Sequence, residues 1–302
     1  MFDALLLSIE IGLDPTIADV AGIEITWHGL FTALGVVAGV AVATYFARRE
    51  GYPEDMIYNV ALFLVIGGII GARGLYVIEN WSEFEDDFLD VFALNTGGIS
   101  IYGALIGGTI GAWLYAYLTK VPNLPRGADI AALGGIVGMA VGRIGDIING
   151  EHFASGTSLP WGVIYTDPNS PSYIRFGAAA EPQHPAVAYE LIGDLLIFGI
   201  LLLIFFNVKR AGVTFFAWVF LYGLLRTLVS FLRLDDTILW GLRTAQVIGI
   251  IAMPIGLAGM AYLLMNPPQA ERTSRAQRRR ELRREEAPAT EPAPPPEEQS
   301  AG

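Results

Sequence analysis

Apolar residues in this chain do not alternate with polar ones as in a half-buried strand. They gather in blocks about twenty residues long, the length that crosses the hydrocarbon core of a bilayer. The blocks fall near residues 26–46, 56–78, 98–118, 128–148, 186–206, 213–232 and 244–265. They predict an all-α integral membrane protein: an outer amino-terminal segment (1–25), a domain of seven transmembrane helices (26–265) and a carboxyl-terminal tail (266–302). The tail passes from an Arg-rich stretch, Arg272 to Arg284, to one rich in Pro, Glu and Ala. Such a composition cannot bury a core and predicts disorder.

Charge gives the blocks a direction, because Lys and Arg resist translocation and collect on the cytoplasmic side. Arg48 and Arg49 follow the first block, Lys120 and Arg126 lie between the third and fourth, Lys209 and Arg210 between the fifth and sixth, and the tail carries seven arginines. All fall on one side. The 79–97 connection is acidic and has no basic residue, and the first 24 residues also lack Lys and Arg, unlike a cleaved signal peptide. The amino terminus is expected outside and the carboxyl terminus in the cytoplasm. Glycines at spacing four (Gly35/Gly39, Gly67/Gly71, Gly103/Gly107/Gly111 and Gly134/Gly138/Gly142) predict close helix contacts within the chain.

Composition narrows the chemistry. The chain has no cysteine, which excludes a structural disulfide, a thiolate metal site and a cysteine nucleophile. Any thiol must arrive with a substrate. The formal charge of −11 argues against nucleic-acid binding, and no residue pattern calls for a metal or other cofactor.

Three arginines, Arg73, Arg143 and Arg226, fall inside predicted spans. Near a helix centre each costs roughly 3 kcal/mol or more, so each needs a partner or a wet cavity. Their helices run the same way, and each arginine sits about 8 Å before the outer end at the helical rise per residue. His28, Tyr102, Tyr189 and Glu190 approach the same layer from helices running the other way, and His184 lies on the same side. A guanidinium suits phosphate because its planar fork donates paired, charge-assisted hydrogen bonds. At this depth the phosphate is that of a lipid headgroup. Glu151 or Glu190 can hold a guanidinium or accept a proton.

The run Gly142-Arg143-Ile144-Gly145-Asp146-Ile147-Ile148-Asn149-Gly150-Glu151, with Thr157 and Pro160-Trp161-Gly162-Val163 after it, resembles the signature of the prolipoprotein diacylglyceryl transferase family. His184-Pro185-Ala186-Val187-Ala188-Tyr189-Glu190 is similar to that family's HPxxxYE segment, Tyr222-Gly223-Leu224-Leu225-Arg226 to its YGxxR segment, and Gln246 to the Gln that opens its last span. The stretch Gly97-Gly98-Ile99-Ser100-Ile101-Tyr102-Gly103 resembles its helix-3 opening.

The resemblance implies seven spans in the bacterial inner membrane and a site near the outer leaflet. It also implies transfer of diacylglyceryl from phosphatidylglycerol to the lipobox cysteine thiol of a prolipoprotein signal peptide, giving a thioether and glycerol phosphate. Arg143 and Arg226 would hold the phosphate, Glu151 would orient Arg143 or the headgroup, and Asn149 and Gly150 would shape the closing turn. His28 and Tyr102 are the alternative bases, and His184 could instead serve as a structural hydrogen-bonding residue. Arg73, Asp146, Tyr189, Glu190 and His184 complete the expected binding set.

Four positions depart from the family's frequent residues: His28 stands for Tyr, Asp146 for Asn, Ala154 for Gly and Ser230 for Glu. A carboxylate lost at Ser230 and gained at Asp146 would be a relocated counter-charge within one arginine layer. A lipid-binding relative without catalysis and an anion or lipid transporter stay open as alternatives.

Overall fold

The computed structural model describes residues 8–20, 23–85, 88–92, 98, 100–178 and 180–266. The tail expected at 266–302, apart from residue 266, lies outside the described residues, as do the first seven residues and Gly97 and Ile99 of the helix-3 opening.

Among the described residues six helices are long and apolar enough to cross a membrane: Trp27–Arg49 (α1), Glu54–Glu79 (α2), Leu124–Asn149 (α4), Ala186–Asn207 (α6), Val213–Ser230 (α7) and Thr244–Met265 (α8). A further apolar helix, Ile101–Leu118 (α3), lies along α2, and a short one, Pro171–Phe176 (α5), sits in the connection between α4 and α6. The described residues before α1 include three strands. Ile9–Ile11 (β1) pairs in parallel with Val163–Tyr165 (β4), and Thr16–Val20 (β2) forms a hairpin with Ile23–Thr26 (β3). Thr237–Leu239 (β5) and Leu242–Arg243 (β6) make a second hairpin between α7 and α8.

Local chemistry explains where the helices begin and end. Thr26 Oγ1 accepts from the Gly29 N–H at 3.1 Å and opens α1. With Pro125 in its first turn, where a proline loses no helical hydrogen bond, α4 starts at Leu124, four residues earlier than the apolar block suggests. Gly150 closes α4 in the left-handed conformation, φ 72°. A Cβ there would lie 2.6 Å from Ser170 Oγ and 2.7 Å from the Tyr165 ring, so only glycine fits.

Helix pairs pack through their glycines. A Cβ on Gly35 would come within 2.5 Å of the Gly138 carbonyl oxygen, and one on Gly39 within 2.8 Å of the Gly134 carbonyl oxygen, which fixes α1 against α4. On α2 and α3 the Gly67/Gly71 and Gly103/Gly107/Gly111 ridges meet backbone to backbone. Gly107→Val must push these helices apart. Its expected cost is about 1–3 kcal/mol, the usual range for overpacking, read as a lower Tm in detergent. Gly74→Ala, where a Cβ meets nothing within 4 Å, should leave Tm unchanged.

Buried Phe46, Ile130, Leu133, Ile136, Ile197, Leu201 and Phe205 form the core where α1, α4 and α6 meet. At the end of the bundle holding the start of α4, fully buried Asp129 accepts from the Gly212 and Phe215 N–H groups, both at 2.8 Å, and caps α7 from outside. Arg126 makes a two-pronged pair with Glu50 at 2.8 and 2.9 Å, lies over the Phe205 ring and holds the Glu50 carboxyl below its ordinary range.

Candidate active site

The opposite end gathers the start of α1, the end of α4, the start of α6 and the end of α7, and the 150–185 connection covers it. Gly145 brings α1 onto α4: a Cβ there would stand 2.8 Å from the Trp27 carbonyl oxygen and 2.9 Å from His28 Cα. That approach sets His28 Nδ1 2.7 Å from Asp146 Oδ1. The carboxylate can only accept, so Nδ1 carries a proton, and in the neutral ring Nε2 then keeps a lone pair.

Glu190 is the hub. It is 1% exposed and pairs with Arg143 Nη2 through Oε2 at 3.0 Å and with Arg226 Nη1 through Oε1. Arg233 Nη1 stands 3.8 Å from Oε1. Arg143 also donates from Nη1 to Asp146 Oδ2 at 3.0 Å. One buried carboxylate thus holds two guanidinium groups from different helices, the arrangement their placement inside apolar helices requires.

The rim is more open. The Glu151 side chain is 36% exposed and that of His28 44%. Asn149 Nδ2 donates to Glu151 Oε2 at 2.8 Å. His152 Nε2 lies 3.4 Å from Asp146 Oδ2 and 3.7 Å from Glu151 Oε1, and its Nδ1 faces Arg233 Nη2 at 3.0 Å. Arginine can only donate, so His152 Nδ1 accepts and its Nε2 carries the proton. Tyr189 receives the Trp161 indole N–H on its hydroxyl at 2.8 Å, with His184 Nδ1 3.4 Å away. Tyr165 donates to the Ile147 carbonyl oxygen at 2.7 Å, and burial, with the nearby Asp146 carboxylate, pushes its phenol well above the ordinary range.

The structure brings together His28, Arg143, Asp146, Asn149, Gly150, Glu151, Glu190 and Arg226 from the sequence-based set, with Tyr189 and His184 at the rim. It places two others elsewhere. Arg73 donates to the carbonyl oxygens of Asp90 (2.6 Å), Val91 (2.9 Å) and Gly98 (2.9 Å) and lies over the Tyr76 and Phe84 rings. These contacts tie down the connection after α2 instead of joining Arg143 and Arg226, as the shared-layer expectation would have it. Tyr102 is 39% exposed on α3, whose packing is with α2.

Arg233, Asp235 and His152 were absent from the sequence-based set. Arg233 is 6% exposed, makes a two-pronged pair with Asp235 at 2.7 and 3.0 Å and links the β5–β6 hairpin to the site. The Arg-x-Asp spacing was the available signal, but its contact with His152 spans 81 positions.

The relocated counter-charge takes a different form. Asp146 serves Arg143 and His28, while Arg226 depends on Glu190; Ser230 is fully buried and its hydroxyl meets no protein partner among the described residues. The methyl of Ala154 packs in a small cluster with Ala186 and Val229, so this departure fits the fold.

Two arginines thus meet on a buried carboxylate, beside an imidazole–aspartate pair, at one end of helices long and apolar enough to cross a membrane. The sequence model of the family described as prolipoprotein diacylglyceryl transferase matches residues 15–262. A phosphatidylglycerol--prolipoprotein diacylglyceryl transferase from Nostoc sp. is 36% identical over 256 residues, 82% of this chain and 89% of the relative. The one from Clostridioides difficile is 35% identical over 242 residues, 80% of this chain and 92% of the relative. The chain belongs to the prolipoprotein diacylglyceryl transferase family.

Proposed function

We propose that this chain transfers the diacylglyceryl group of phosphatidylglycerol to the lipobox cysteine thiol of a prolipoprotein in the bacterial inner membrane. Seven helices span the bilayer in this reading, with α3 as the remaining span, the amino terminus outside and the carboxyl terminus cytoplasmic. The 26–265 domain carries the site near the outer leaflet, flanked by the outer 1–25 segment and the cytoplasmic 266–302 tail.

The observation that carries the reading is the pairing of Arg143 and Arg226 on Glu190, next to the His28–Asp146 pair. The two guanidinium groups bind the headgroup phosphate. His28 Nε2 takes the thiol proton while Asp146 holds the ring and steadies its charge, the division of labour of a histidine–aspartate base. The sulfur attacks the glyceryl carbon that bears the phosphate ester. The C–S bond forms, the C–O bond breaks, and glycerol phosphate leaves with the electron pair on its oxygen. Arg143 and Arg226 stabilise that charge, electrostatic help that is often the largest contribution to catalysis. Glu151, set by Asn149 on the turn at Gly150, orients the headgroup, and Tyr189 with His184 lines the rim where substrate enters. Arg73 acts on binding from a distance, by holding the connection after α2.

An anion transporter would carry cationic groups through both halves of the bundle. From the site toward the far end, the buried charges among the described residues are the carboxylates Asp194 and Asp129, the latter engaged by two backbone N–H groups and neighbouring Arg126, and carboxylates repel an anion, which favours the transferase.

Asp146→Asn is expected to lower kcat about 10²-fold or more, within the usual worth of a positioned base, with little change in phosphatidylglycerol binding. Full activity in a folded Asp146→Asn protein would remove Asp146 from the reaction. The reading as a whole is tested by incubating purified protein with phosphatidylglycerol vesicles and a lipobox peptide. The peptide should gain the mass of one diacylglyceryl group, and a Cys→Ser peptide should gain none. A folded protein that binds the lipid but leaves the cysteine peptide unchanged would point to a non-catalytic lipid-binding relative.

A further inference from the structure

His28, Asp146 and Glu151 come from α1, α4 and the turn after α4, and each offers a donor atom within 4.8 Å of the others. His28 Nδ1 lies 2.7 Å from Asp146 Oδ1 and 3.5 Å from Glu151 Oε1. A tetrahedral zinc centre with bonds of about 2.0–2.1 Å sets its donor atoms about 3.3 Å apart, between these two separations. The other carboxylate oxygens are already occupied. Asp146 Oδ2 faces Arg143 Nη1 and His152 Nε2, and Glu151 Oε2 accepts from Asn149. Each carboxylate therefore presents one oxygen to His28 and gives the other to a donor that fixes its angle, as in the outer shell of protein metal sites. His152 belongs to that outer shell and is no ligand, because Arg233 holds its Nδ1 and leaves a proton on Nε2. The half-exposed His28 and Glu151 leave an open side for a water as fourth ligand.

Local charge favours a cation. Among the three proposed ligands Asp146 and Glu151 supply two carboxylates, and the one guanidinium among the described residues that pairs with either is that of Arg143, on Asp146.

We infer that His28, Asp146 and Glu151 form a binding site for a divalent transition-metal cation of the zinc class, and that its occupancy silences transfer. The cation takes the place of the proton between His28 Nδ1 and Asp146 Oδ1, that proton moves to Nε2 of the neutral ring, and the lone pair that would take the thiol proton is lost. The inhibitory half rests on the transferase reading. The binding half does not.

The probe is cobalt(II) titrated into the detergent-solubilised full chain and read by its visible ligand-field absorption. One equivalent should saturate, and zinc(II) should displace it. His28→Gln, at a half-exposed position, should weaken cobalt binding by at least about tenfold, the upper reach of losing even an outer-shell group being about 100-fold. Glu151→Gln should do the same, while Arg226→Ala, outside the ligand set, should keep the signal. A titration without saturable absorption, or one unchanged in His28→Gln, overturns the site. With chelator present, the protein should transfer diacylglyceryl to the lipobox peptide, and stoichiometric zinc should stop it. Transfer that continues with the site filled overturns the inhibition. A protein that binds cobalt as expected yet transfers nothing in chelator overturns the transferase reading and leaves the metal site standing.

Discussion

Replacing Glu190 with alanine is expected to destabilise the protein more than any other single change at the site and to abolish transfer. Glu190 is 1% exposed, yet it meets Arg143 and Arg226 and lies 3.8 Å from Arg233. Removing one partner of a buried ion pair leaves the other charge uncompensated, which typically costs about 3–5 kcal/mol. Here two guanidinium groups lose their shared partner, although Arg143 keeps Asp146 and Arg233 keeps Asp235. Arg226 has no second carboxylate among the described residues. Thermal unfolding in detergent should show a large drop in Tm for Glu190→Ala. Glu190→Gln, which keeps the shape and a hydrogen-bonding oxygen, should drop less while still losing most activity. A Glu190→Ala protein with unchanged Tm would mean the cluster is satisfied by water rather than by this carboxylate.

Arg226→Ala carries the second large effect. Its side chain is 21% exposed and, unlike Arg143, it is held by one carboxylate only, so its fork is the more available for substrate phosphate. Losing one preorganised donor to a developing negative charge costs about 10²–10³ in kcat. Arg226→Lys should recover little, because an ammonium cannot reproduce the two parallel hydrogen bonds of a guanidinium. Steady-state kinetics with the lipobox peptide separate the outcomes. A fall confined to kcat marks charge stabilisation, and a rise confined to KM marks phosphate binding alone. Wild-type kinetics would remove Arg226 from the site.

The membrane-length helices were legible because an apolar run of twenty residues has one good solution in a bilayer. The start of α4 was not, since Arg126, Gly127 and Asp129 make its first turns look polar. The structure shows that Asp129 caps α7 and Arg126 pairs with Glu50. In the site, Arg143, Asp146, Asn149, Gly150 and Glu151 lie on one short stretch, and their neighbourhood could be read directly. Their partners could not. Glu190 is marked by its segment, but its position between two guanidinium groups depends on the packing of α4, α6 and α7.

Arg73 shows the opposite failure. Depth along a helix suggested a shared layer, but which way a side chain turns is set by the connection it meets, and Arg73 meets the carbonyl oxygens of Asp90, Val91 and Gly98. The departures at His28 and Asp146 also looked independent until the contact at Gly145 placed them 2.7 Å apart.

The most direct measurement uses phosphatidylglycerol labelled in its glycerol phosphate, mixed with the purified protein and a lipobox peptide. The expected result is one labelled glycerol phosphate released for each thioether formed, with both lost together in Arg226→Ala. Glycerol phosphate released without thioether, or thioether formed with the label retained on the lipid product, would contradict a direct displacement at this site.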